Sequence, residues 1–538
     1  MNALAFAPNT PMSDHTALNF VAATLFFGLV LTLIVARGVF RARRRAGAER
    51  PVSRALPIDG RRTALDKTLD EAFASRPLDN TPESAALLLT KGGEAFAARA
   101  LSAAAAGRSL DLMYYAWRGD ALGMLLASEL WRAAERGVRV RLLVDDVNAE
   151  GADAGLAALD RHENIEVRIH NPFFVRAGAA RLAELLLRFA RMNHRMHNKA
   201  WIADGRLAVV GGRNIEDRYF DASEELNFRD LDMVVMGPAV SDAERIFDSY
   251  WNHETAWPIS ALVEDDDVAM DEALSEILAA RESPLARNYA RSAEKTPDLS
   301  SFLASRGPVR WSSKIEIASD PPGKWREARD RREWIVTRLN NWLRGARSEV
   351  LIVSPYFVPR RRFTGALRAL ARKRVDVAVV TNSLSANDVA AVHGGYMRYR
   401  RSLLRGEVAL HEVRHANDHD DARSVFGSSN ASLHTKAALF DRARGFVGSF
   451  NMDPRSARVN TEMGVFFEDE TLAADLREEI ERLRNPALSY RVALEGLRLR
   501  WFDDATDPPV IYEDEPNSTF TQRMTARLAG WLPIEQEL

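Results

Sequence analysis

The sequence predicts an α/β protein made of two similar halves, each a β-sheet covered by helices, with one transmembrane helix before them. A strand, helix, strand pattern occurs twice, at residues 110–116, 122–136 and 138–145 and again at residues 350–355, 362–372 and 375–381. Short β-branched runs that alternate with helices of this length are typical of such sheets. Matching sequences also recur 237 residues apart, as in Gly137-Val138-Arg139-Val140 and Arg374-Val375-Asp376-Val377. Each half alone would carry only half of a functional site, so we expect the two halves to pack together.

The transmembrane helix is predicted at residues 17–36, which contain no ionisable side chain. A helix of this length can cross the ~30 Å hydrocarbon core of a bilayer. A cleaved signal peptide is the alternative, but residues 1–16 contain no Lys or Arg. Six arginines follow in residues 37–50. The positive-inside rule therefore predicts a single-pass anchor with the body of the protein in the cytoplasm.

Composition describes a large protein with a substantial core. The chain has 538 residues, of which 46% are hydrophobic and 28% charged, enough for two large halves or about three domains. A net charge of −2 argues against a surface for nucleic acid. The absence of cysteine excludes disulfides and thiolate metal sites but leaves the compartment open.

These features divide the chain into seven segments. We predict a short N-terminal tail (1–16), the transmembrane helix (17–36), a basic linker (37–68), a first half (69–260), a variable inter-half segment (261–330), a second half (331–500) and a C-terminal tail with an amphipathic helix (501–538). The acidic run Glu264-Asp265-Asp266-Asp267 in the variable segment predicts a solvated loop.

Two copies of one motif with identical internal spacing are the main chemical signal. The first copy contains His197, Lys199, Asp204, Gly211, Gly212 and Asn214, and the second contains His434, Lys436, Asp441, Gly448, Ser449 and Asn451. Because an average residue type is used at roughly 5%, such a recurrence is not an accident of composition.

The residue types in the motif suit a phosphodiester. A His and a Lys two positions apart on a strand point to one face, so an imidazole lies beside an ammonium group. The imidazole can attack phosphorus, while the ammonium and the amides of Asn214 and Asn451 hold its oxygens. Gly212 and Ser449 are small enough to let the phosphate approach closely. Asp204 is followed by Gly205 between two apolar runs, which predicts a hairpin turn that supports the site.

The two motifs resemble those of the phospholipase D superfamily, in which two similar halves face each other across one active site. The resemblance implies two mixed β-sheets flanked by helices and packed as a pseudo-dimer, with no metal and no cofactor. It implies a covalent phosphohistidine on His197, with His434 as general acid and then base, although the near-symmetric site permits the reverse. In this family an acidic residue after each motif orients its histidine, and Asp230 and Glu462 hold the matching positions. Asp232 is a second candidate that can equally be a surface charge.

Within the superfamily, further segments resemble the bacterial cardiolipin synthases of the C subtype. They are Ser354-Pro355-Tyr356-Phe357-Val358-Pro359, Thr381-Asn382-Ser383-Leu384, Asn171-Pro172-Phe173 and Asp453-Pro454-Arg455-Ser456. This resemblance implies an inner-membrane phosphatidyltransferase that acts on phosphatidylglycerol, with phosphatidylethanolamine as the donor. A phospholipase D hydrolase that releases phosphatidate is the alternative, because water and alcohol compete for the same phosphohistidine. A phosphodiesterase acting on nucleic acid is another, weakened by the near-neutral charge.

Two segments could contact a lipid surface. Residues 173–195 combine apolar side chains with five arginines, and residues 520–532 show apolar residues at helical spacing. Packing of either segment against the body of the protein explains these patterns equally well. His411, His415 and His419 recur every four residues, but the composition around them predicts a loop and no metal site. The need for a small accessory protein, acyl preference and oligomeric state stay open.

Overall fold

The structure of the protein is a computed structural model. It describes residues 14–46, 50–60, 62–74, 83–148, 152–176, 178–264, 266–287, 298–306, 309–325, 331–415 and 431–531, without the side chains of residues 14–27, 46 and 179.

Helices and strands alternate along both halves. The helices are α1 (Asp14–Ala46), α2 (Ala64–Ala74), α3 (Gly92–Ala105), α4 (Ala121–Glu135), α5 (Asp153–Asp160), α6 (Ala179–Leu187), α7 (Phe189–Met192), α8 (Val240–Trp251), α9 (Asp267–Ala279), α10 (Leu299–Ser305), α11 (Ile335–Gly345), α12 (Arg360–Arg372), α13 (Ala390–Leu404), α14 (Pro454–Arg458), α15 (Glu470–Arg484) and α16 (Phe520–Trp531). The strands are β1 (Ser84–Leu89), β2 (Ser109–Ala116), β3 (Arg139–Asn148), β4 (Ile165–His170), β5 (Ala200–Ala203), β6 (Leu207–Gly211), β7 (Asn227–Arg229), β8 (Asp232–Met236), β9 (Ala256–Pro258), β10 (Arg310–Ser312), β11 (Ile315–Ser319), β12 (Glu349–Val353), β13 (Asp376–Asn382), β14 (Ala409–Val413), β15 (Ala431–Leu433), β16 (Ala437–Phe440), β17 (Arg444–Gly448), β18 (Met463–Glu468), β19 (Ser489–Glu495), β20 (Arg498–Asp503) and β21 (Val510–Tyr512).

Each half contains one mixed sheet, which confirms the predicted α/β class. The first sheet has the strand order β10-β1-β8-β6-β5-β2-β3-β4-β9, and the second has the order β11-β18-β17-β16-β12-β13-β14-β19-β20-β21. The repeated strand, helix, strand unit forms as expected, because β2 pairs in parallel with β3 across α4 and β12 pairs in parallel with β13 across α12. The central strands are buried throughout, as expected for a sheet that is covered on both faces.

The two halves pack through an apolar interface between the sheets. Among the described residues, a buried cluster includes side chains from both sheets, among them Val210 and Val235 from the first half and Leu351 and Val465 from the second. Helix α8 of the first half contacts β11 of the second sheet, and α15 of the second half contacts β1 of the first. The packing is therefore reciprocal, as in a symmetric dimer joined into one chain.

The segment at residues 261–330 contributes to both sheets. Strand β10 adds to the first sheet beside β1, and β11 adds to the second beside β18. Within the acidic run, Asp266 caps α9 by accepting from the amide of Ala269 at 3.1 Å, and Glu264 pairs with Arg45 at 3.6 Å. The segment thus connects the two sheets through edge strands, whereas its exact boundaries stay a prediction.

Helix α1 covers the predicted transmembrane residues 17–36, but the expected span is not supported. In the part of the chain that the structure describes, no helix is both long enough and apolar enough to cross a membrane. The second part of α1 packs against the first half instead: Val35 and Ala42 are buried, and Gly38 lies close to Phe174. Arg45 donates to the carbonyl of Val263 at 3.1 Å, so part of the basic cluster also contacts the protein.

Both segments expected to contact lipid have one packed face and one exposed apolar face. In the first segment Phe173 and Phe174 are buried, while the exposed apolar residues on α6 and α7 are Leu182, Leu186, Leu187 and Phe189. Helix α16 buries Ala526 and Ala529 against α13 and exposes Phe520, Met524, Leu528 and Trp531. Each segment therefore packs on the protein with one face and exposes apolar side chains on the other.

Candidate active site

Each motif begins in an extended segment that leads into a hairpin. The His-x-Lys residues precede β5 or β16 and do not lie within the strands, where we predicted them. The reason is that each histidine bonds to the opposite half of the chain. The amide of His197 donates to the carbonyl of Thr461 at 2.9 Å, and the amide of His434 donates to the carbonyl of Arg229 at 2.8 Å. Strands β15 and β7, just before His434 and Asp230, also pair across the halves.

The two carboxylates that follow the motifs hold the histidines crosswise. Nδ1 of His197 lies 2.8 Å from Oε2 of Glu462, and Nδ1 of His434 lies 2.6 Å from Oδ2 of Asp230. Asp230 and Glu462 were predicted to orient the histidine of their own half, and that assignment was wrong. A carboxylate that accepts from Nδ1 places the proton there and leaves Nε2 of a neutral imidazole with a free lone pair.

Two buried lysines complete the charged centre. Nζ of Lys199 donates to the carbonyl of His197 at 2.7 Å, and Nζ of Lys436 lies 3.2 Å from Nε2 of His434 and 3.7 Å from Asp230. All four groups, the two lysines and the carboxylates of Asp230 and Glu462, are buried, and their charges cancel when both lysines are protonated. A bound phosphodiester anion would add one negative charge, which one protonated histidine would balance.

The two asparagines of the motifs are buried beside this centre. Asn214 accepts from the amide of Ala116 at 3.2 Å and donates to the hydroxyl of Tyr219 at 3.0 Å. The side-chain oxygen of Asn451 has no hydrogen-bond partner among the described residues. Phosphate binding by the amide NH₂ groups of these two residues stays a prediction.

Gly212 and Ser449 contact the orienting carboxylates, and their approach to phosphate stays a prediction. A Cβ on Gly212 would lie 2.2 Å from Oδ1 of Asp230, so glycine makes room for that carboxylate. The hydroxyl of Ser449 donates to Oε2 of Glu462 at 2.5 Å. The two positions therefore fix the groups that orient the histidines.

Asp204 and Asp441 lie at the opposite end of each hairpin from the histidines. Both adopt φ of 54° in the turn, in agreement with the predicted hairpin. Asp204 accepts from the amides of Arg108 at 2.7 Å and Ser109 at 2.9 Å, and Asp441 accepts from the equivalent amides at the start of β12. These carboxylates therefore tie the hairpin turn to the start of the neighbouring strand, β2 or β12, which runs antiparallel to the first strand of the hairpin.

Asp232 is fully buried, so its interpretation as a possible surface charge was wrong. It pairs with Arg99 at 2.9 Å and Arg213 at 3.6 Å. The guanidinium of Arg213 also donates to the carbonyl of Leu89 at 3.1 Å. This ion-pair network connects β1, α3 and β8 behind the site.

Burial and neighbouring charges shift the pKa values of the central groups. Burial, together with the charge of Lys436, lowers the pKa of His434 to about 4. Burial also lowers the pKa of His197 and brings that of Lys199 to about 7. Although burial opposes ionisation, Lys436 and His434 keep the pKa of Asp230 below its usual value, and His197 does the same for Glu462. Both carboxylates are therefore charged and both histidines neutral at pH 7 in the empty site.

A second buried charged cluster lies apart from the motifs in the second half. His393, Glu412 and Glu515 lie close enough together to hold a metal ion. Arg400 already lies between the two carboxylates, 3.2 Å from Glu412 and 2.5 Å from Glu515, and pairs with both. His411 belongs to β14, not to the loop we predicted, while His419 lies outside the described residues.

Three aromatic rings next to the histidines were not predicted from the sequence. Tyr115 packs edge-on against His197 at 5.0 Å, and Tyr219 and Phe228 pack against His434 at 5.1 and 5.0 Å. Tyr115 occurs at the carboxyl end of a predicted parallel strand, where ligand sites commonly lie, and that position was the available signal. Tyr219 and Phe228 have no comparable signal, because their distance from His434 depends on how the halves pack.

Two imidazoles and two ammonium groups, drawn from two copies of one motif into a single buried centre, define a phosphodiester-handling enzyme of the two-motif type. Comparison with known proteins agrees. The family described as cardiolipin synthase, PLD-like domain matches residues 99–251 and 339–484. Cardiolipin synthase C of Escherichia coli (strain K12) is 39% identical over 451 residues, which cover 83% of this chain and 94% of that protein. The protein belongs to this phospholipase D-like family.

Two more distant proteins are also similar to this chain, one in sequence and one in structure. Cardiolipin synthase 1 of Staphylococcus aureus (strain MRSA252) is 27% identical over 373 residues, or 69% of this chain and 62% of that protein. The solved structure of phosphatidylserine synthase from Haemophilus influenzae Rd KW20 superposes with a TM-score of 0.55 at 14% identity and covers 86% of this chain and 96% of that chain. That similarity shows a shared fold.

Proposed function

We propose that the protein is a cardiolipin synthase-like phosphatidyltransferase, which moves a phosphatidyl group from a donor phospholipid to phosphatidylglycerol. The observation that carries the proposal is the crossed pair of histidines, each with its Nδ1 on a carboxylate of the opposite half, which leaves Nε2 as the ring nitrogen that reacts. The similarity to cardiolipin synthase C over most of both chains supports the choice of substrate class.

In the first step His197 attacks the donor phosphodiester. Its Nε2 forms a bond to phosphorus, the bond from phosphorus to the headgroup oxygen breaks, and His434 gives its Nε2 proton to that oxygen. Lys199 and Lys436 hold the non-bridging oxygens, and Asn214 and Asn451 donate to them. Glu462 stabilises the positive charge on the phosphorylated His197.

In the second step a hydroxyl of phosphatidylglycerol loses its proton to Nε2 of His434 and attacks phosphorus. The bond from phosphorus to Nε2 of His197 breaks, and both histidines return to their starting states. Each step inverts phosphorus, so the overall reaction retains configuration. Retention measured with a chiral phosphorothioate donor is expected, and net inversion would exclude the covalent intermediate.

His434 must be protonated to act as the acid, although its pKa in the empty site is about 4. The phosphodiester brings a negative charge next to Lys436, the neighbouring charge that lowers this pKa in addition to burial. Substrate binding therefore raises the pKa of His434 at the point where a proton is needed.

The exposed apolar residues of α6 and α7 provide a surface for the lipid. This surface, formed by Leu182, Leu186, Leu187 and Phe189, lies a few residues before His197 in the chain. We expect it to enter the membrane interface and guide a headgroup to the site. A Leu186→Glu, Leu187→Glu double variant should bind anionic vesicles several-fold less in flotation, whereas Leu497→Glu, at an exposed turn of the second half, should bind as the wild type does. Equal flotation of all three proteins would disprove this membrane surface.

The reaction is tested with purified full-length protein in vesicles of labelled phosphatidylglycerol, with and without phosphatidylethanolamine. Cardiolipin that forms only in the presence of both lipids supports phosphatidylethanolamine as the donor, and its formation by this protein alone excludes a required accessory protein. Phosphatidate as the main product would support the hydrolase, and release of nucleotides from single-stranded DNA would support a nuclease. His197→Ala and His434→Ala should each abolish turnover.

Trapping distinguishes the two histidines. A nitrophenyl ester of phosphatidic acid has a leaving group that needs little protonation, so it should partly rescue His434→Ala. Labelled phosphate should then be found on His197 in that variant. Label on His434 in a His197→Ala protein, with none on His197 in the reciprocal experiment, would reverse the two roles.

A further inference from the structure

An exposed carboxylate that the proposed reaction does not use lies within electrostatic range of His434. Asp388 is exposed, and both of its oxygens accept from the hydroxyl of Tyr356, at 2.8 and 2.9 Å. Tyr356 follows the carboxyl end of β12 and Asp388 follows that of β13, neighbouring parallel strands of the second sheet. Carboxyl ends of such strands are where an α/β sheet binds its ligands.

Hydrogen bonds fix both residues relative to the second motif. On the Asp388 side, the carbonyl of Ala386 accepts from Ser432 at 2.7 Å, and the side chain of Asn382 donates to the carbonyl of Leu433 at 2.9 Å. Ser432 and Leu433 directly precede His434. The loop that carries Asp388 is therefore attached to the backbone of the acid-base histidine.

Tyr356 is attached to the other end of the same motif. The hydroxyl of Ser354 donates to the carbonyl of Tyr356 at 2.7 Å and accepts from the amide of Met452 at 3.0 Å. Met452 follows Asn451, a proposed phosphate ligand. Hydrogen bonds to residues next to His434 and Asn451 thus hold Tyr356 and Asp388 in place.

A negative charge at this position needs a physical reason, because the substrate is an anion. The charge of Asp388 acts on His434, Lys436 and Tyr219, so it lies within electrostatic range of the bound phosphate. It would repel that phosphate unless a positive or hydrogen-bond-donating part of the substrate lay between them. The headgroup of a phospholipid meets this requirement.

Asp388 also lies on a particular side of the site, the side of His434. In the proposed mechanism His197 attacks from one side, so the departing alcohol and then the incoming alcohol lie on the opposite side, beside His434. Beyond Tyr219 and Phe228, which pack against His434, this side of the site has a carboxylate held by a tyrosine within electrostatic range of His434. On the His197 side, the aromatic ring that packs against the imidazole is that of Tyr115.

We propose that Asp388, oriented by Tyr356, recognises the polar headgroup of the alcohol that leaves and then enters on the His434 side. The ligand is either an ammonium group, as in ethanolamine, or the free hydroxyls of a glycerol, since both donate hydrogen bonds to a carboxylate. The proposal deepens the phosphatidyltransferase function and rests on it for the identity of the alcohol.

The experiment separates the two sources of headgroup. In the first arm the nitrophenyl ester of phosphatidic acid is the donor, and glycerol and methanol compete as acceptors. In the second arm phosphatidylethanolamine and phosphatidylmethanol compete as donors. The measured quantity is the product ratio in each arm, which cancels changes in the amount of active protein.

Asp388→Ala should lower the glycerol-to-methanol ratio, the ethanolamine-to-methanol donor ratio or both by at least tenfold, and Tyr356→Phe should lower the same ratio by a smaller factor. Asp376→Asn is the matched control, because Asp376 is an exposed carboxylate at the opposite end of β13. Its ratios should equal those of the wild type. The arm that responds identifies the ligand.

Wild-type ratios for Asp388→Ala in both arms would overturn the proposal. A wild-type protein that uses the nitrophenyl donor but no natural phospholipid would instead disprove the proposed phosphatidyltransferase function. In that case the glycerol-to-methanol ratio still decides the role of Asp388.

Discussion

At the scale of single residues, the crossed carboxylates change which variant affects which chemical step. Glu462 is paired with the proposed nucleophile His197, and Asp230 with the proposed acid His434. We expect Asp230→Asn to lose about 10²-fold or more in activity on an alkyl phosphodiester and much less on a nitrophenyl ester, which needs no acid. Glu462→Gln should lose a similar factor on both substrates. The ratio of kcat/KM values for the two esters gives the result directly, and a ratio that changes in Glu462→Gln but not in Asp230→Asn would contradict the crossed assignment.

The lowered pKa of Lys199 predicts how activity responds to pH. Burial brings this pKa to about 7, so the ammonium is present below that pH and is lost as the pH rises through it. Because the ammonium holds an anionic substrate, kcat/KM should fall between pH 7 and 9, approaching about tenfold per unit. Lys199→Arg keeps its charge over this range and should lose the decline, at a lower overall activity. A flat wild-type profile from pH 6 to 9 would show that Lys199 is not the titrating group.

The sequence identified the individual site residues because their spacing is local, but not their pairing. His197 and Glu462 are 265 positions apart, and His434 and Asp230 are 204 apart. The order of residues along the chain suggested that each half orients its own histidine. Which carboxylate meets which histidine depends on how the halves pack, and no local pattern encodes that.

At the scale of elements, the turn aspartates should contribute to stability more than to catalysis. Asp204 accepts two short bonds from backbone amides at the start of β2. Asp204→Asn leaves one oxygen acceptor and should cost about 1–3 kcal/mol of unfolding free energy while the folded protein keeps measurable turnover. Denaturant titration and activity per folded molecule check this. Complete loss of turnover in a fully folded Asp204→Asn protein would show that Asp204 has a catalytic role.

The docking of α16 on α13 depends on a glycine. A Cβ at Gly394 would lie 2.2 Å from the carbonyl oxygen of Ala526. Gly394→Ala should therefore displace α16, cost about 1–3 kcal/mol and expose the C-terminal segment to trypsin. Gly365→Ala in α12, where a Cβ meets no atom within 4 Å, is the control and should stabilise by about 0.5–1 kcal/mol. An equal protease sensitivity of the two variants would contradict the close contact.

The repeated strand, helix, strand units were predictable because each has a clear hydrophobic period. The predicted strand at 110–116 is observed as Ser109–Ala116, and the predicted helix at 122–136 as Ala121–Glu135. The edge strands β10 and β11 were not predicted, since each is a short run that becomes a strand through pairing with a distant partner. The apolar stretch in α1 was interpreted as a membrane span from its composition, but no helix among the described residues is long and apolar enough, and of its described side chains Val35 is buried whereas Leu29 and Leu33 are exposed.

At the scale of the whole molecule, the active site belongs to one chain. Both histidines and both carboxylates meet within a single protein, so a mixture of full-length His197→Ala and His434→Ala proteins should stay inactive. A mixture of the wild type with either variant should keep the activity of its wild-type fraction. Recovery of activity in the mixture of the two variants would show that two chains can exchange halves.

Reciprocal contacts between the halves have a consequence for how this protein evolved. If an ancestral single copy assembled as a symmetric pair with the same contacts, the two sides of its one site had identical sequences, and every substitution appeared on both. Fusion into one chain removed that restriction. Gly212 in the first motif now corresponds to Ser449 in the second, and Asp230 corresponds to Glu462. Duplication followed by fusion would thus allow one side of a symmetric centre to specialise as the proposed nucleophile while the other acquires the proposed recognition of alcohols.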